Sequence, residues 1–96
     1  MQIALVIGSA VATIKDGALH GRKLLIVREA DVAGDPVGPP RVAVDTVSAG
    51  AGDLVIVTGG SSARETDMTE RTPVDLVIVG VIDSLELSGK VSYRKG

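Results

Sequence analysis

Short runs of branched aliphatics, cut by glycine and proline, constrain this sequence more than any other feature. Leu24-Leu25-Ile26-Val27, Leu54-Val55-Ile56-Val57 and Leu76-Val77-Ile78-Val79 each last four residues before a charged residue, a threonine or a glycine breaks them. Runs so short cannot make helices of ordinary length, and β-branched side chains favour the pleated surface of a strand. Ile3, Leu5 and Ile7 alternate with Gln2, Ala4 and Val6, the period-two signature of a strand. Gly8 interrupts that run, as glycine does at a bulge or tight barrel bend, and the pattern resumes at Val11 and Thr13 as far as Lys15. Fifteen valines and seven isoleucines against eight leucines point the same way, and Tyr93 is the one aromatic residue. The core must therefore be built from small aliphatics.

Punctuation between the runs defines the remaining elements. Lys15-Asp16-Gly17 and the stretch Ala18 to Gly21 read as a turn, and strand two runs from Lys23 to Glu29. Asp31 to Pro40 holds three prolines and two glycines, so it reads as a surface loop. A short strand from Arg41 to Val47 follows, with Val42, Val44 and Val47 expected inward. Asp45 and the glycine-rich Ser48 to Asp53 connection, with Gly50, Gly52 and Asp53, are expected to form structural turns. After the strand Leu54 to Thr58, Ser62 and Glu65 have capping-box spacing and predict one short helix. Thr66 to Thr72 is a polar loop, Val74 to Asp83 the last long strand, and Leu85 to Leu87 a short one. The basic residues Lys90, Arg94 and Lys95 read as a solvated end.

Five or six short strands with glycine and proline turns predict an all-β chain, a small antiparallel barrel. Strands two, four and five are apolar on both faces, whereas a monomeric antiparallel barrel keeps its outer face polar. Other copies of the same chain are expected to cover that face.

Composition removes several function classes. With 96 residues the chain is one small domain. It has no cysteine, which excludes disulfides and thiolate chemistry and fits a reducing compartment. A formal net charge of −2 and a single aromatic argue against nucleic-acid binding. The sequence has no run of about 18 apolar residues, and its start, Met1-Gln2-Ile3, has no basic region of a signal peptide, so a cytoplasmic location is expected.

No catalytic constellation is visible. His20 sits in a turn and reads as a surface residue; a triad with Ser61 or Ser62 lacks the G-x-S-x-G elbow. Gly59-Gly60-Ser61-Ser62 could attract an anion through free N–H groups or serve as simple turn chemistry, but no P-loop lysine follows. Asp45, Asp75 and Asp83 lie at strand ends, where local turn hydrogen bonds are the usual role. Arg64 suits a fixed carboxylate, within the chain or across an interface, or else is solvated. No enzyme, metal or cofactor is expected.

Taken together, Val6-Ile7-Gly8, Ala12-Thr13-Ile14-Lys15 and Leu19 to Leu25 resemble the family of bacterial microcompartment vertex proteins, which includes the carboxysome and ethanolamine-compartment pentamers. The likeness strengthens at Val42 to Val47 and Ala49 to Asp53, and at Gly59-Gly60-Ser61-Ser62-Ala63-Arg64 and Pro73-Val74-Asp75 leading to Gly80-Val81-Ile82-Asp83. Ala4 and Ser48 stand where many members have glycine, and Ser9 where threonine is frequent. The resemblance implies an OB-like barrel domain over residues 1–83, with 84–96 a short strand and basic tail outside the match. It implies a homopentamer at the fivefold vertices of a shell whose facets are hexameric shell proteins. It also implies a place for Gly60, Ser61, Ser62, Ala63 and Arg64 at the subunit interface or central opening. The alternative carried by fold class alone is an OB-type binding module for an oligonucleotide or small ligand.

Overall fold

A computed structural model describes residues 1–13, 21–59 and 76–96. Seven strands follow in order: β1 (Gln2–Ala10), β2 (Leu24–Ala30), β3 (Pro36–Asp45), β4 (Leu54–Gly59), β5 (Leu76–Val81), β6 (Ser84–Leu87) and β7 (Lys90–Arg94). The first five close into a barrel in the order β1-β2-β3-β5-β4, and β6 pairs with β7 as a separate two-stranded sheet. All barrel pairings are antiparallel except β3 with β5, which is parallel over Val44↔Val77 and Asp45↔Ile78. The fold is an OB-like all-β barrel. The short helix expected after Gly60, the turn at residues 15–20 and the polar loop up to Pro73 lie outside the described residues.

The interior is filled as the composition requires. Ala4, Val6, Leu25, Val27, Ala43, Ala49, Val55, Val57, Leu76 and Ile78 form one buried cluster. Cross-strand partners share a face, so the pairings Val6↔Val27, Leu25↔Ala43 and Val57↔Ile78 put these side chains together inside. Gly8 lies where the β1–β2 register shifts, between Val6 and Gly8, and β1 continues only to Ala10. Val11 beyond it is fully exposed.

Strand β3 departs from expectation in two ways. It begins at Pro36, so Pro36 to Pro40 belong to a strand and not to a loop. Proline is tolerated there because β3 pairs with β2 along this stretch, while among the described residues it meets β5 only at Val44 and Asp45. A missing N–H on such a free edge breaks no ladder bond. The true loop is Asp31 to Asp35, closed by Asp31 Oδ1, which accepts from the N–H groups of Ala33 (2.9 Å) and Asp35 (3.0 Å). The second departure is the facing of the strand. Ala43 points into the barrel and Val42 is exposed, against expectation, while Val44 is buried in a separate cluster with Val77 and Val47 packs against the barrel core. The β2 register decides this, because Ala43 sits opposite the buried Leu25.

Ser48 has φ of 60°, in the left-handed region that favours glycine.

Candidate assembly surface

The outer face of the barrel divides into a covered half and an open half. Over β1 and β4 lies the β6–β7 hairpin. Leu85 and Tyr93 from the hairpin pack with Ile3, Leu5, Leu54 and Ile56, together with Ala30 and Ile82. Ser88 and Gly89 make the two-residue turn, both with positive φ (53° and 79°), the backbone a tight right-twisted hairpin needs. Tyr93 lies directly on Gly34, where an added Cβ would meet its Cδ1 at 2.8 Å. Backbone and charge fasten the end of the chain: the N–H of Lys95 donates to the carbonyl of Asp83 at 2.8 Å, and its ammonium stands 3.8 Å from Asp53 Oδ1. Residues 90–94 are thus a strand and not a solvated end. The expectation that other copies cover the whole outer face is corrected for β4, which the chain covers itself.

The open half lies over β1, β2 and β3. Gly8, Ile26 and Val42 stand side by side across the three strands, with exposed Ile7 next to them. Val42 is 53% exposed. The next row, Ala10, Leu24 and Val44, bounds the open patch, for Val44 is buried there with Val77 beside Leu24 and Val79. Arg28 flanks the patch, its Nε donating to the carbonyl of Gly38 at 2.6 Å. A contiguous aliphatic patch on a sheet's outer face marks an interaction site.

The turn residues are held by short-range bonds. The N–H of Val47 donates to Asp45 Oδ1 at 3.0 Å. Lys23 donates from its ammonium to the carbonyl of Ala49 at 2.6 Å and lies 3.8 Å from Asp45 Oδ2. Asp53 Oδ2 accepts from the N–H of Gly50 at 2.9 Å, and Gly52 takes φ of 91°. The N–H of Gly52 donates to the carbonyl of Val6, and the N–H of Val6 to that of Asp53, both at 2.9 Å, so this turn is tied to β1. Gly60, Ser61, Ser62, Ala63, Arg64, Asp75 and His20 lie outside the described residues. Among the described residues no group of three or more His, Asp or Glu side chains is placed to hold a metal ion.

Sequence reading missed the covering hairpin. Its signal was present: Ser88-Gly89 separates two runs, Leu85 to Leu87 and Val91 to Tyr93, at hairpin spacing. A cavity of about 160 Å³ opens among Gln2, Ala4, Val27, Glu29, Pro39, Arg41, Val57 and Leu76. That is below the roughly 300 Å³ at which small-molecule sites usually begin.

The pattern of the family described as "Ethanolamine utilisation protein EutN/carboxysome" matches residues 1–83. The chain belongs to the EutN/CcmL family. Among its relatives is the bacterial microcompartment shell vertex protein EutN of Salmonella typhimurium, 40% identical over 95 residues, covering 99% of this chain and 96% of that protein. The solved structure of CcmL from Gloeobacter violaceus superposes with a TM-score of 0.91 at 37% identity, covering 99% of this chain and 98% of that one. The GrpN pentameric microcompartment shell protein of Rhodospirillum rubrum superposes with a TM-score of 0.80 at 41% identity, covering 91% and 99%. Membership makes this EutN/CcmL chain a structural vertex protein of a bacterial microcompartment shell and not an enzyme. The shell role prevails over the oligonucleotide-binding alternative.

Proposed function

We propose that the chain assembles as a homopentamer that caps the fivefold vertices of a polyhedral shell, seated among hexameric facet proteins. The open aliphatic patch over β1–β2–β3 carries this reading, because a lone barrel gains nothing from leaving Ile7 and Val42 about half exposed beside the partly covered Ile26. The pentameric name of GrpN, at 41% identity, supports the number five. A flat hexagonal layer cannot close without fivefold corners, so the role is geometric. Gly60, Ser61, Ser62, Ala63 and Arg64 are assigned to the subunit interface or the central opening on their likeness to the family, with Arg64 as the fixed charged group.

Native mass at micromolar concentration and neutral pH tests the assembly. The parent chain is expected at five times the single-chain mass, and Val42→Lys at lower mass with an unchanged far-UV circular dichroism spectrum. A monomeric or hexameric parent refutes the reading.

A further inference from the structure

The open patch is only half of an interface. A closed ring repeats one heterologous contact, so each subunit must present two different, complementary surfaces. A stable interface also takes about 800 Å² from each partner, more than the few half-exposed aliphatics over β1–β2–β3 supply. The second surface must be another unpartnered apolar feature of the same chain.

The β6–β7 hairpin has one at its tip. Its base is committed to its own barrel through Leu85 and Tyr93. Towards the turn, Leu87 and Val91 are 55% and 51% exposed. A register shift between Leu85 and Glu86 leaves Val91 opposite Glu86, and Leu87 pairs with Lys90 beside the turn. The tight turn and the seated Tyr93 hold this tip as a preformed arm, so docking it costs little ordering entropy. Cross-strand partners share a face and neighbours along a strand alternate, so Val91 and the exposed Glu86 lie on one face of the tip and Leu87 with Lys90 on the other. The Val91 face, with its carboxylate, complements the open patch and the Arg28 guanidinium that flanks it.

We propose that the Val91 face of one subunit's hairpin tip, with Glu86 beside it, docks on the β1–β2–β3 face of the next subunit, against Ile7, Ile26 and Val42. This rests on the homopentamer reading and specifies which surfaces make its repeated contact. Anchored at the base on its own barrel and at the tip on its neighbour's, the arm fixes the angle between subunits.

The chain contains no cysteine, so engineered pairs can be read without background. The assembled Val91→Cys/Val42→Cys double variant is oxidised with diamide and run on a non-reducing denaturing gel. A ladder of covalent species up to five chains is expected, absent from each single variant. In parallel, Val91→Lys, which sets a cation against the patch flanked by Arg28, is expected to raise the concentration at which the oligomer dissociates at least tenfold. Its circular dichroism spectrum is expected to stay unchanged, because Val91 is half exposed in the single chain. A pentameric double-cysteine protein that forms no interchain disulfide overturns the arm contact and leaves the pentamer standing. A monomeric parent chain overturns both.

Discussion

Substituting Gly34 tests whether the hairpin is clamped to the barrel. Gly34 has φ of 88°, and a Cβ placed there would lie 2.8 Å from Tyr93 Cδ1 and 3.2 Å from Cε1. Gly34→Ala therefore incurs two separate costs. Left-handed backbone in an L-residue costs about 1–2 kcal/mol. Forcing the Tyr93 ring off its seat is an overpacking term of about 1–3 kcal/mol, since the clashing atoms belong to the ring's near edge and the ring is packed with Leu85, Leu54 and Ile56. The sum, roughly 2–5 kcal/mol, is a large part of the stability of a domain this size. The two terms separate in a double-mutant cycle with Tyr93→Ala, measured by urea unfolding at one fixed protein concentration. Without the ring, only the backbone cost of about 1–2 kcal/mol should remain. The coupling should then exceed the roughly 0.5 kcal/mol by which independent sites depart from additivity. Equal costs of Gly34→Ala in both backgrounds would mean that Tyr93 is not seated on Gly34, and the account of the covered half of the barrel would fail.

Three further outcomes are expected. Ser48→Gly relieves a residue at φ of 60°, and after the added unfolded-state entropy of glycine it should stabilise the chain by up to about 1 kcal/mol in urea unfolding, whereas Ser48→Val should destabilise it. Lys23→Met removes the donor to the Ala49 carbonyl and the cation facing Asp45, whose side chain is 1% exposed; because Lys23 is itself 53% exposed, the loss should be only about 1 kcal/mol, and an unchanged urea midpoint counts against the link. In a strain lacking the gene and any second vertex protein, purified shells imaged by electron microscopy should be open or misshapen and should leak intermediates while the encapsulated enzymes stay active; closed, tight shells contradict the vertex role.

Much of this protein was determined by sequence alone. Enrichment in β-branched residues and flanking turn residues favoured strands at Leu24 to Val27, Leu54 to Val57 and Leu76 to Val79, and a near absence of aromatics left valine, leucine, isoleucine and alanine to fill the core. Gly8 marked the place where the β1–β2 register shifts, and the order of motifs from Val6 to Asp83 carried the family. A strand apolar on both faces, however, does not say which face turns inward. For β3 the opposing Leu25 decided it, turning Ala43 in and leaving Val42 in solvent. The prolines from Pro36 to Pro40 forbid a helix locally, yet they are harmless on an edge that no described strand other than β2 pairs, and only the barrel's closure shows that edge. The C-terminal residues were read as a solvated end because their attachment depends on Gly34, about sixty positions away, meeting Tyr93. That contact between distant residues divides the outer face into a half the chain covers itself and a half left for another copy. Local patterning carries the tendency of each segment, and pairing across the barrel decides which surfaces remain to be used.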